Sequence, residues 1–162
     1  MPFKKQNPRI IETKTKEDQR PTLPRNWPQD ILYLYDHTYS SAVTSDQKAI
    51  LSRTTPEHVS YAKIPPEALR PPYPHIEIRI IKNEKHPAHG QCGLFAGGDL
   101  EADSFICLYL GHVHTNALAD TDPCSDYDLS YDREAGLSVD AAHSGNEARF
   151  AVSLALNQCG HI

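Results

Sequence analysis

Between His86 and Phe150 the chain alternates short apolar runs with glycine-rich and polar turns, and this punctuation limits what it can fold into. Gly90-Gln91-Cys92-Gly93 leads into the apolar run Leu94-Phe95-Ala96. A polar turn over Gly97 to Ser104 leads into a second run, Phe105 to Leu110. Apolar runs this short, bounded by turn residues, predict strands joined by a hairpin. Glycines can take φ > 0 and let a ligand come close to the backbone, so the turn is a candidate small-molecule pocket.

The flanking sequence extends the same pattern. His75 to Lys82 reads HIEIRIIK, with Ile76, Ile78 and Ile80 on one face and Glu77, Arg79 and Ile81 on the other. A period of two predicts a half-buried strand. Tyr127 to Tyr131 and Leu137 to Asp140 read as further strands, and the polar stretch His112 to Ser125 reads as a loop. Ile31 to Tyr35 is an apolar patch, a short strand or an arm laid on the domain. Thr44 to Arg53 predicts a short helix capped by Ser45 or Asp46. Thr55-Pro56-Glu57 predicts a second helix start, since proline at the first helical position sacrifices no hydrogen bond. Ser144 to Glu147 has the S-x-x-E spacing of a capping box. Local propensity then continues a helix over Ala148 to Leu156, with Gly160 as its stop. The fold class expected is mainly β, built of small sheets and hairpins, with an irregular, short-helical N-terminal region. Residues 1–25 read as a disordered basic tail, 26–74 as a proline-rich region and 75–162 as the folded domain.

Charge is unevenly spread. Residues 1–25 carry seven Lys/Arg against three Asp/Glu, a net of +4; residues 26–85 carry seven of each. Residues 86–162 carry two against eleven, a net of −9. An acidic half is unsuited to phosphate backbones and suits a basic, lysine-containing protein or peptide partner. Cys92, Cys107, Cys124 and Cys159 show no C-x-x-C spacing, and the N-terminus has no apolar core segment. Those features predict a reducing, intracellular setting, nuclear or cytoplasmic. No apolar run approaches the roughly 20 residues that span a bilayer, so no membrane role is expected.

Four landmarks then recur in a known order. They are Gly93-Leu94-Phe95-Ala96, Tyr109-Leu110-Gly111, Asp140-Ala141 and Gly145-Asn146-Glu147-Ala148-Arg149-Phe150. Together they resemble a SET domain, the fold of S-adenosylmethionine-dependent protein-lysine methyltransferases, and their spelling is most similar to SET proteins of fungal type. The resemblance covers roughly residues 75 to 150. It implies a SET-type fold with S-adenosylmethionine as cofactor and a histone-tail-like substrate. Gln91, Cys92 and Gly93 would cradle the methionine part of the cofactor through their backbone. Tyr109 would be the catalytic tyrosine facing the transfer site. Tyr127 would flank the cofactor or the lysine channel, and Arg149 would lie beside the cofactor. Asp140 and Asn146 would hold turns. In that family, methyl transfer is an in-line displacement that depends on orientation and on electrostatic stabilisation of spread positive charge.

The resemblance stops at Phe150. The family's Asn-His pair would fall at Val152 and Ser153, and its final catalytic tyrosine has no counterpart. The chain therefore reads as a C-terminally shortened SET product. Such a product is expected to be marginally stable, to aggregate or to depend on a stabilising protein partner, because unclosed sheets leave edges exposed. One alternative is a catalytically inactive SET remnant that acts as a protein-interaction module. Another is a small zinc-binding domain using His86, His89 and Cys92 with His112, His114, Cys159 and His161, although structural zinc sites normally bring ligand pairs from two separate places.

Overall fold

The computed structural model describes residues 23–51 and 64–151. These residues are mainly β, with one α-helix. The period-two segment forms β3 (Ile76–Ile80), which pairs antiparallel with β4 (Cys92–Ala96). Ile76 and Ile78 turn inward, at 8% and 2% exposed. The alternation breaks at the strand end. Ile80 is 58% exposed and Ile81 only 6%. The main chain there is pinned twice, by Ile81 N–H to the Gln91 carbonyl (2.8 Å) and Gly90 N–H to the Ile81 carbonyl (2.9 Å). Gly90 takes φ +83°, the left-handed value that the turn needs and glycine allows.

A second sheet has four strands in the order β2-β5-β7-β6. They are β2 (Thr38–Tyr39), β5 (His112–Thr115), β6 (Asp128–Asp132) and β7 (Leu137–Asp140). β5 is a correction to the sequence reading, which made His112–Ser125 a loop. His112-Val113-His114-Thr115 is polar in composition but has Val113 at 0% exposed, in a core with Val43, Leu137 and Val139. Its alternate histidines are accommodated by polar partners: Thr38 Oγ1 lies 3.0 Å from His112 Nδ1, and His114 Nε2 lies 3.2 Å from Asp128 Oδ1.

The second apolar run departs from expectation in the opposite sense. Phe105–Leu110 is not a strand. Its peptide groups are met by side chains instead of a neighbouring strand. Leu108 N–H donates to the Tyr73 hydroxyl (3.1 Å), and Leu110 N–H donates to Asn146 Oδ1 (3.1 Å). The Leu108 carbonyl accepts from Asn146 Nδ2 (2.9 Å). A buried backbone must be satisfied, and a side-chain amide can replace one step of a ladder.

The Ile31–Tyr35 patch is laid on the domain. β1 (Leu32–Tyr33) pairs parallel with β8 (Ser144–Gly145), and β2 pairs parallel with β5. Residues on the N-terminal side of position 75 thus belong to the same sheets as those after it. Trp27 fixes the arm, with its ring edge-on to Tyr33 (4.8 Å) and Phe150 (5.7 Å).

The helix α1 spans Ser45–Leu51, and its cap is Thr44, one residue before the expected pair. Thr44 Oγ1 accepts from Gln47 N–H (3.2 Å), while Gln47 Oε1 accepts from Thr44 N–H (3.0 Å), a reciprocal capping box. The capping box expected over Ser144–Glu147 does not form. Ser144 lies in β8, and Glu147–Phe150 is a single 3-10 turn. Glu147 is drawn inward, where its carboxylate meets donors other than the turn's own amides. The expected helix beyond Ala151, its stop at Gly160, and the helix start at Thr55-Pro56-Glu57 lie outside the described residues.

Candidate functional site

Three of the predicted site residues, Tyr109, Tyr127 and Arg149, meet in space. Tyr109 sits in the segment clamped by Asn146, and its hydroxyl donates to the Tyr127 carbonyl (2.7 Å). Arg149, on the 3-10 turn, places its guanidinium 4.3 Å from the Tyr127 ring centroid and 5.0 Å from that of Phe150. The same guanidinium donates to the carbonyls of Ala141 (3.0 Å) and Ala142 (3.3 Å). Cation–π contact and two carbonyl acceptors fix the plane of the arginine fork. Burial raises the Tyr109 hydroxyl well above the ordinary tyrosine range, and Asp140 adds to that while Arg149 opposes it.

Gln91, Cys92 and Gly93 stand at the start of β4, which packs against the Glu147–Phe150 turn; among the described residues they share no hydrogen bond with Tyr109, Tyr127 or Arg149. Gln91 is exposed. Its N–H donates to the Ala88 carbonyl (3.1 Å) and its carbonyl accepts from Ile81. Both of its main-chain groups are therefore used within the turn. Gly93 is needed for packing: a Cβ there would meet Ile81 Cδ1 and Cγ1 at 3.1 Å. The resemblance would place S-adenosylmethionine against this turn. The Gln91 groups that would cradle it are bonded within the protein, and so is the Tyr109 hydroxyl that would face the transferred methyl group.

A cleft of about 240 Å³ opens elsewhere, lined by Pro24, Tyr73, Ile76, Ile78 and Glu147 among others, and it includes none of the six predicted site residues. Glu147 is the functional surprise. It is 2% exposed, accepting from the Tyr33 hydroxyl at Oε2 (2.9 Å) and from Tyr73 N–H at Oε1 (3.1 Å). The sequence offered one signal for it, a carboxylate inside the otherwise uncharged stretch Ala141-Ala142 to Ala148. A capping role accounted for that signal equally well. Asp140 holds its turn, accepting from Ser125 Oγ (2.7 Å) and Ala142 N–H (2.8 Å). Among the described residues no group of three or more His, Cys, Asp or Glu converges as a metal centre. His86 Nδ1 accepts from Ala88 N–H (3.1 Å), within the turn.

Alkaline stability follows from these burials. Desolvation raises the hydroxyls of Tyr33, Tyr73 and Tyr109, and pushes the Cys107 thiol up to about 11. Above about pH 9 the unfolded chain releases these protons and the folded chain keeps them, so stability present below pH 9 falls as pH rises. Urea melts at pH 7 and pH 10.5 should show a lower midpoint at the higher pH; equal midpoints would contradict the burial of these groups.

Among the described residues no helix is long and apolar enough to cross a membrane. The sequence matches no family model and no curated protein.

Proposed function

We propose that this chain is a SET-type domain, related to protein-lysine methyltransferases that use S-adenosylmethionine. We further propose that it works here as a non-catalytic module engaging a basic, lysine-containing protein segment in an intracellular, nuclear or cytoplasmic setting. The observation that carries this reading is the cluster of Tyr109, Tyr127 and Arg149. Residues 18 and 22 positions apart come together and bond to one another and to the backbone. The net charge of −9 over residues 86–162 supplies the attraction for a basic partner.

A second reading, an active lysine methyltransferase, is favoured by the same convergence. An arginine beside a tyrosine pair is what the family's transfer site would retain. Methyl transfer would need a hydroxyl or carbonyl free to meet the charge that spreads during displacement. The hydroxyl of Tyr109 would have to leave Tyr127.

Calorimetry with S-adenosylmethionine, beside a thermal melt, separates the two. The expected result is no measurable heat and an unshifted melt. Micromolar binding with a raised melting temperature would overturn the non-catalytic reading. Ligand that binds the native state at 100 times its Kd stabilises by about 2.7 kcal/mol, a shift easily read. Salt-sensitive binding of a lysine-rich peptide, lost at high ionic strength, is the positive arm.

A further inference from the structure

Among the described residues β4 has an open edge, in a two-stranded sheet with β3 as its other member. The register pairs Arg79 with Gly93 and Glu77 with Phe95. Three bonds set the phase of the ladder. Gly97 N–H donates to the His75 carbonyl (2.9 Å), and Ile81 N–H donates to the Gln91 carbonyl (2.8 Å). Asn26 Nδ2 donates to the Ile78 carbonyl from the far side of β3 (2.7 Å). Antiparallel pairs alternate between hydrogen-bonded and non-bonded. Gly93 and Phe95 therefore spend their peptide groups on β3, while those of Cys92, Leu94 and Ala96 point away from it. No strand, turn or side chain among the described residues bonds those of Cys92 and Leu94. The Ala96 carbonyl receives a long contact from Arg79 (3.4 Å).

Within β4 itself the edge lacks the usual protections; the one charged side chain placed on it is Arg79 of β3, over the Phe95 ring and against the Ala96 carbonyl, a contact that pairing would displace. Cys92-Gly93-Leu94-Phe95-Ala96 holds no charge and no proline, and its register with β3 runs without a bulge. Natural sheets guard exposed edges with such features. Ile80, paired with Cys92, adds an exposed apolar side chain at the same end.

We propose that this edge pairs with the β4 edge of a second copy of the chain, antiparallel about a two-fold axis through Leu94. The outward positions are symmetric about that residue. Leu94 meets Leu94 of the other copy, and Cys92 meets Ala96 in both directions. Each pair exchanges both N–H···O=C bonds, which satisfies every outward group of the strand. This is an isologous contact, closed after two chains. A second copy suits the edge better than a basic peptide does, because β4 offers such a peptide no carboxylate. An uncharged strand also pairs with itself without repulsion. The inference does not depend on the SET reading.

Sedimentation of the full chain across a micromolar concentration series tests it, together with amide hydrogen exchange. The mass should rise from one chain to two. As it does, the amides of Cys92, Leu94 and Ala96 should slow by at least tenfold, while Gly93 and Phe95 stay protected at every concentration. Leu94→Pro removes an outward N–H that β3 does not use, so it should keep the wild-type circular dichroism and remain monomeric. If Leu94→Pro fails to fold, Ala96→Pro removes the equivalent group at an exposed position and should weaken association at least tenfold. A chain that stays monomeric overturns the proposal. So does a dimer that survives both prolines, or one whose Cys92, Leu94 and Ala96 amides exchange independently of concentration; a basic peptide protecting those amides in a monomer would reassign the edge.

Discussion

Glu147→Ala should cost about 2–6 kcal/mol of folding stability, because it orphans two buried donors at about 1–3 kcal/mol each. The carboxylate joins three parts of the chain that are distant in sequence. Its Oε2 takes the hydroxyl of Tyr33 from β1, and its Oε1 takes the backbone N–H of Tyr73 ahead of β3. Truncation leaves both donors buried without an acceptor, and each orphan costs about 1–3 kcal/mol. Tyr33 is only 8% exposed and Tyr73 only 4%, so water has little access to either. Glu147→Gln keeps an acceptor oxygen and should lose less. Tyr33→Phe removes a donor without orphaning a backbone group and should cost about 1 kcal/mol. A urea-melt double-mutant cycle between Glu147→Ala and Tyr33→Phe should give a coupling of at least 0.5 kcal/mol. Additive losses would mean that the hydrogen bond contributes nothing beyond packing.

Much of the fold was legible where one face of a strand decides its fate. HIEIRIIK gave β3 through its isoleucines, and Leu137–Asp140 gave β7. The sequence misled where a polar residue replaces a structural element. Phe105–Leu110 looks like a strand because local pattern cannot reveal that Asn146, 36 residues from Leu110, supplies the bonds a neighbouring strand would. His112–Thr115 looks like a loop because its histidines are polar, although Thr38 and Asp128 wait for them across the sheet. The same limit applies to the candidate site. The structure brings Tyr109, Tyr127 and Arg149 together, but no pattern in the sequence could say that the Tyr109 hydroxyl ends on the Tyr127 carbonyl. Nor could spacing tell that a Cβ at Gly93 would crowd the Ile81 side chain. Pairings between distant segments are set by packing, and one sequence carries them only implicitly.

Asn146→Ala should destabilise the protein by about 2–4 kcal/mol and free the segment that carries Tyr109. Asn146 is 0% exposed, and its amide is used at both ends. Oδ1 accepts from Leu110 N–H and Nδ2 donates to the Leu108 carbonyl, so the side chain reads two peptide groups that flank Tyr109. Alanine leaves the buried Leu110 N–H and the part-buried Leu108 C=O unmatched, at about 1–3 kcal/mol for the first and less for the second, which water can reach. The chain after this segment stays held, because the Gly111 carbonyl accepts from Thr38 N–H (3.2 Å) and His112–Thr115 pairs with β7. The loss should therefore stay local, in the segment from Phe105 to Leu110. Asn146→Asp is the sharper variant. It preserves shape and the acceptor for Leu110 but turns the donor facing Leu108 into a second acceptor, so two oxygens oppose each other. It should cost nearly as much as alanine at pH 7 and recover as the new carboxyl protonates at low pH. Hydrogen exchange should show Leu110 opening in both variants, while Val113 and Val139 in the central sheet keep their protection. Uniform loss across the whole sheet, or no loss at Leu110, would show that the amide clamp does not hold this segment.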